Sequence, residues 1–165
     1  MHKILVLDEK NYTEDMPVFE KFATRAIIWK DGKLAMQQSA RGEYKLPGGG
    51  KDAGETLEEA LIREVREETG LVIIPESIKE IGEILELRRD IFDENKKYVA
   101  HSMHYSCEVE ETLVETSMTE SEKKRGFHLA WADIDTVIAV NEALMTEQWQ
   151  FRDVKFLKWL KENML

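Results

Sequence analysis

A layered α/β (α+β) sandwich with a mixed β-sheet is the fold class this sequence predicts, on three observations. An Asp-Gly hairpin signal separates two apolar-rich runs early in the chain. One strongly capped helix follows, and two long strand-like segments then precede a pair of helical segments near the carboxyl end. The 165 residues suit a single domain, 1–165, and 42% apolar against 34% charged residues can bury a core.

Residues 1–22 read as an amino-terminal extension, with Ile4–Leu7 a short strand and Asn11–Pro17 a loop. Arg25–Trp29 and Lys33–Gln38 are strands separated by Lys30-Asp31-Gly32, and Lys45-Leu46-Pro47 runs into a sharp loop at Gly48-Gly49-Gly50. Thr56 to Thr69 is a helix: Thr56 and Glu59 form the T-x-x-E capping pattern, and Gly70 stands where a left-handed cap belongs. Ile78–Arg89 and Tyr98–Val109 are longer strands joined across Asp93-Glu94-Asn95-Lys96. Alternation in the second puts Val99, His101, Met103, Tyr105, Cys107 and Val109 on one face, which makes His101 a hydrogen-bonded core residue and leaves His104 on the polar face, toward any pocket. Glu110–Gly126 reads as a polar loop and Phe127–Trp131 as a short strand. Asp133–Met145 and Arg152–Asn163 show helical spacing, the latter within a carboxyl-terminal helical region, 146–165. Its apolar side, Phe156, Leu157 and Leu160, packs on its own sheet or pairs with a second subunit. For Trp29, Trp131, Trp149 and Trp159, core packing is the expectation ahead of base stacking.

Lysine and arginine number 23 against 33 acidic residues, a net charge of −10. That balance argues against a general nucleic-acid or anionic-membrane binder, since both need a basic footprint. A polyanionic ligand would need local compensation, from a basic pocket or from metal cations. Cys107 is the only cysteine, which excludes an intramolecular disulfide and a multi-thiolate zinc site. No apolar run reaches signal-peptide or membrane-span length, so a cytoplasmic location is expected.

The segment Gly48–Leu71 holds six glutamates. Glu58 and Glu59 suit a helix start, but Glu64, Glu67 and Glu68 face the negative end of the helix dipole. With Glu64 at 0°, Glu67 falls near about 300° and Glu68 near about 40°, so three carboxylates share one arc, with small Ala60 inside it. The apolar stripe of Leu61, Ile62 and Val65 lies to the side. A divalent cation is the simplest compensator, and oxygen-only ligands suit Mg²⁺ or Mn²⁺; a solvated acidic face is the alternative. Arg63, one turn from Glu67, could hold that carboxylate in place.

Gly49, five residues, Glu55, seven residues, then Arg63-Glu64-Val65-Arg66-Glu67-Glu68-Thr69-Gly70-Leu71 matches every fixed position of G-x5-E-x7-R-E-U-x-E-E-x-G-U, with U apolar. This resembles the Nudix hydrolases, more loosely across residues 24–135. The resemblance implies a Nudix-type α/β/α sandwich and metal-dependent hydrolysis of a nucleoside diphosphate linked to another moiety. It implies Glu64, Glu67 and Glu68 as metal ligands, Glu55 as a helper that orients the loop or binds a further ion, and Arg63 as a structural partner of the carboxylates. Gly48, Gly49 and Gly50 would let the main chain approach the site, and Arg25 could contact a phosphate. For the general base a loop carboxylate, Glu120 or Glu122, competes with Glu64. Arg41 reads first as a surface ion pair.

The substrate is expected to be a small nucleotide. The proline that the family's ADP-sugar members tend to carry beyond the signature is absent from Gly82–Arg88. That leaves a nucleoside triphosphate or an unassigned diphosphate. Two other readings remain: a non-catalytic nucleotide-binding or regulatory domain, and an RNA-end pyrophosphatase using Lys123-Lys124-Arg125. Family members are often dimers, which inclines the expected assembly toward a homodimer.

Overall fold

Alternation along the central strands decides the layering. The computed structural model describes residues Met1–Leu165. Its elements run β1 (Lys3–Asp8), β2 (Val18–Ile27), β3 (Trp29–Lys30), β4 (Lys33–Gln38), β5 (Tyr44–Lys45), α1 (Leu57–Thr69), a 3-10 turn (Pro75–Ser77), β6 (Lys79–Arg89), β7 (Lys97–Ser106), α2 (Glu120–Lys124), β8 (His128–Ala132), α3 (Ile134–Leu144) and α4 (Gln148–Met164). On β4, Leu34 and Met36 enter one apolar cluster while Ala35 between them enters another; Ile27 and Ala26 on β2 divide in the same way. Strands buried on both faces need a helical layer on each side. The first cluster is completed by Val137 of α3 and by Phe156, Leu157 and Leu160 of α4, the second by Leu61 and Val65 of α1. The result is an α/β/α sandwich.

The strands form two sheets. One has the order β1-β6-β7-β2, with β1 parallel to β6, β6 antiparallel to β7 and β2 parallel to β7. The other joins β3, β4 and β5, with β8 antiparallel to β4. Asp31 and Gly32 take φ of 51° and 76°, the left-handed pair that a two-residue hairpin turn requires, and fold β4 back on β3 with Lys30 opposite Lys33. The chain passes from β2 through buried Ile28 into β3, and so moves from one sheet to the other.

Four expectations are corrected or extended. Residues 3–8 and 18–22 are sheet strands, β1 and the first half of β2. The polar stretch 110–126 contains a short helix, α2, started by Thr119 and Glu122 in a reciprocal capping box. α4 begins at Gln148, earlier than its apolar spacing indicates. His104 is fully buried rather than pocket-facing: its ring stacks on Phe156 of α4, with centroids 3.8 Å apart, and burial drives its pKa down to about 3. β7 is covered on both faces, so alternation alone misassigns it. His101 is half-buried, stacked on Phe22 and bonded to Glu83. The apolar side of α4 packs on its own sheet. No helix is long and apolar enough to cross a membrane.

Candidate active site

α1 is fixed at both ends, which fixes the direction of its carboxylates. The Thr56 hydroxyl accepts from the Glu59 N–H (3.1 Å) and the Glu59 carboxylate accepts from the Thr56 N–H (2.9 Å). Gly70 closes the helix at φ 77°, its N–H donating to the Arg66 carbonyl at 2.9 Å. With Leu61 and Val65 in the core, the arc carrying Glu64 and Glu68 turns toward the glycine loop.

Glu68 lies deepest, its side chain 2% exposed. Its Oε1 accepts from the Gly48 N–H at 2.8 Å, while Oε2 has no hydrogen-bond donor and only the Lys45 ammonium 3.7 Å away. Burial pushes its pKa up to about 8, against weaker opposition from Lys45 and the Gly48 N–H. The Glu64 carboxylate presses on Gly49, where a Cβ would stand 2.5 Å from it, and burial raises its pKa as well. Arg63 gathers the remaining acids. Its guanidinium donates to Glu55 (2.6 and 2.9 Å), Glu64 (3.0 Å), Glu67 (3.3 Å) and the Gly50 carbonyl (3.0 Å). Hydrogen bonding to Arg63 holds Glu55 down at about 2, and Glu55 in turn accepts from the Asp52 N–H at 2.8 Å, bracing the loop before α1. Glu55, Glu64 and Glu67 thus fan around one guanidinium, and no three His, Cys, Asp or Glu side chains converge at ligating distance.

A stability consequence follows from Glu68. Its folded pKa lies above the ordinary 4.5, so the folded state holds more protons between 4.5 and about 8. Its contribution is therefore fully present below the unfolded value and is lost as pH rises through about 8. In chelator, Glu68→Gln keeps the neutral shape and is expected to stabilise the chain at pH 8.5 relative to pH 5 by at least about 1 kcal/mol. Thermal unfolding at the two pH values checks this; equal increments would show that the buried charge costs nothing.

Of the two loop carboxylates, the fold brings one to the signature helix. Glu122 lies within electrostatic reach of Lys45 and Glu68, and its Oε1 accepts from the Thr119 N–H and hydroxyl, both at 2.9 Å. Burial opposes its charge, but the Thr119 bonds, then Lys45 and Glu68, outweigh it and lower its pKa. Glu120 points to solvent, 94% exposed beside Lys123. In the basic run 123–125, Lys123 pairs with Glu120 and Arg125 with Glu43 and Glu147, while Lys124 is exposed without an ion pair. Arg41 pairs with Glu43, as expected.

Beside the glycine loop lies a cavity of about 550 Å³, lined by Lys21 and Arg25 of β2, Lys45 of β5, Arg88 of β6, and Tyr98, Trp149 and Arg152. Arg25 is buried, and its NH1 donates to the Thr24 carbonyl at 2.7 Å. That same carbonyl would stand 2.1 Å from a Cβ on Gly48, whose φ is 135°, so cavity wall and glycine loop are in direct contact. Lys21, Lys45, Arg88 and Arg152 went unnoticed in the sequence as site residues. Arg152 is held by Asp153, whose other oxygen accepts from the Leu46 N–H at 3.1 Å and so ties α4 to the strand leading into the glycines.

Comparison with known proteins identifies the family and the fold. The NUDIX domain family model matches residues 21–160. The uncharacterized Nudix hydrolase YvcI of Bacillus subtilis is 29% identical over 115 residues, covering 69% of this chain and 66% of the relative. An ADP-ribose pyrophosphatase of Methanocaldococcus jannaschii is 44% identical over 54 residues, 30% of this chain and 32% of the relative. The matched segments thus span about a third and just under two thirds of those relatives. Among solved structures, a NUDIX hydrolase from Nitrosomonas europaea superposes with a TM-score of 0.59 at 20% identity, covering 83% of this chain and 87% of that one. A MutT NUDIX hydrolase from Burkholderia pseudomallei gives 0.53 at 22% identity, covering 71% and 85%. A complete signature on a doubly capped helix, the matching sandwich and a family match across most of the chain converge: this protein is a member of the Nudix family.

Proposed function

We propose that the protein is a divalent-metal-dependent hydrolase of a pyrophosphate bond in a nucleoside diphosphate linked to another moiety. The observation that carries this reading is the buried Glu68 oxygen without a donor, set beside Glu64 at the glycine loop. A carboxylate buried without a partner is costly, and an all-oxygen donor set suits a hard cation. Glu64, Glu67 and Glu68 would hold Mg²⁺ or Mn²⁺, with Glu55 positioned by Arg63 as helper. When bound, such an ion supplies positive charge against the pyrophosphate and makes water a stronger acid.

The chain's own residues do the rest. Arg63 keeps the signature carboxylates oriented, and Gly49, lacking a Cβ, leaves Glu64 its place. Lys45 and Arg25 line the cavity wall, from which they would face the phosphates. Glu122 has its Oε1 committed to Thr119, which leaves Oε2 to receive the proton of an attacking water; Glu64 is the competing base. The archaeal relative's name also refers to a pyrophosphate linkage, which supports this bond class.

A panel of nucleoside triphosphates and diphosphate conjugates tests the proposal by release of nucleoside monophosphate. Turnover is expected with Mg²⁺ or Mn²⁺ and should fall to background in EDTA. Tight nucleotide binding without turnover under any metal condition would instead identify a binding domain.

A further inference from the structure

We propose that Lys21, Arg25 and Arg88 form a receptor for a phosphate beyond the bond that is cleaved, so that the preferred substrate is a nucleoside triphosphate rather than a diphosphate joined to a neutral sugar. The inference rests on the pyrophosphohydrolase reading and extends it to substrate class.

The observation behind it is a charge imbalance in one place. In a chain with 33 acidic residues, these three cations share a cavity and none has a carboxylate within 4.0 Å. Arg25 and Arg88 are 7% and 8% exposed, and the Nε of each has no hydrogen-bond partner. Arg25 has the Thr24 carbonyl, and Arg88 has the Arg89 carbonyl at 3.4 Å and the face of Tyr98 at 4.2 Å. Lys21 is exposed overall, yet its Cε would lie 3.4 Å from a Cβ on Gly50, so its ammonium end sits at the glycine loop.

Of the nearby acids, Asp90 adjoins Lys21 and Arg88 but accepts only from the Phe92 N–H at 3.3 Å, and the others pair with different cations. Glu86 and Asp153 face Arg152 at 3.8 and 2.9 Å, Glu147 bonds Arg125, and Glu68 faces Lys45. Buried guanidinium groups without counter-charge are expensive, and planar N–H forks match phosphate oxygens closely. A bound polyphosphate would satisfy Arg25 and Arg88 together; a neutral sugar in place of the third phosphate would leave Arg88 uncompensated. The placement agrees, since Lys21 and Arg25 adjoin the glycine loop while Arg88 lies farther along the wall beside Tyr98.

Calorimetry in Mg²⁺ with methylene-bridged, uncleavable analogues of ATP and ADP-ribose decides the matter for the wild type, Arg88→Gln and Lys21→Gln. The wild type is expected to bind the triphosphate analogue about tenfold or more tighter than the sugar conjugate. Each substitution should bring that ratio down at least about threefold, chiefly by weakening the triphosphate. Equal wild-type affinities, failure to bind either analogue, or an unchanged ratio in the folded variants would overturn the receptor. Thermal unfolding verifies the fold of Arg88→Gln; Lys21→Gln, at an exposed position, decides alone if that variant fails to fold. Selective binding without hydrolysis of any natural nucleotide would sink the hydrolase reading only, and preferred hydrolysis of ADP-ribose would sink the receptor only.

Discussion

Glu64→Gln is expected to lower kcat by about a thousandfold, Glu122→Gln by about a hundredfold, and Glu120→Gln by less than about twofold. The ranking follows from position. Glu64 abuts Gly49 in the signature arc, so an amide there removes a cation ligand or the proton acceptor, and either loss strikes the chemical step. Glu122 stands near Glu68 with its Oε1 held by Thr119, so its replacement should remove proton acceptance while leaving ion binding nearly intact. Glu120, 94% exposed, touches only Lys123. Steady-state kinetics in saturating Mg²⁺ with metal titration for each variant separate the roles. If both loop variants retain near-normal turnover, the base is not in the loop and Glu64 takes that role; a large loss in Glu120→Gln would contradict the geometry.

The second large effect concerns the glycine loop, where adjacent substitutions should fail in different ways. Gly48→Ala puts a methyl 2.1 Å from the Thr24 carbonyl at a φ of 135°, which side chains rarely adopt. Backbone cannot yield cheaply there, so the expected loss is about 3 kcal/mol or more, a drop in Tm of about 10 °C. Gly49→Ala meets the end of the Glu64 side chain first. That carboxylate can swing away, so Tm should shift by no more than about 3 °C. Activity, however, should fall as far as in Glu64→Gln. Differential scanning calorimetry with kinetics on both variants checks the contrast, and a stable, active Gly48→Ala would show that β2 and the loop are not locked together.

Local signals were legible wherever the chemistry is local. Thr56, Glu59 and Gly70 bracket α1, and Asp31-Gly32 marks the hairpin, because capping and left-handed turns depend on residues a few positions apart. The same Thr-x-x-Glu pattern at Thr119 and Glu122 passed unread, since α2 has five residues and no apolar periodicity to mark it. His104 was misplaced because alternation names a core face only when the other face meets water, and α4 covers that side of β7. The cavity was illegible for a different reason. Lys21, Lys45, Arg88 and Arg152 come from β2, β5, β6 and α4, so no window of sequence holds two of them together.

The parallel pairing of β2 with β7 has a bearing on how the chain reaches this state. Val18 aligns with Lys97 and Ile27 with Ser106, so β2 leaves the ribosome about 80 residues ahead of its only partner in that sheet. During that interval Phe19 and Phe22 stand on a strand with one unpaired edge, the condition under which nascent chains associate with one another. Biogenesis is thereby tied to the arrival of residues 97–106, and truncation before them is expected to leave an aggregation-prone strand.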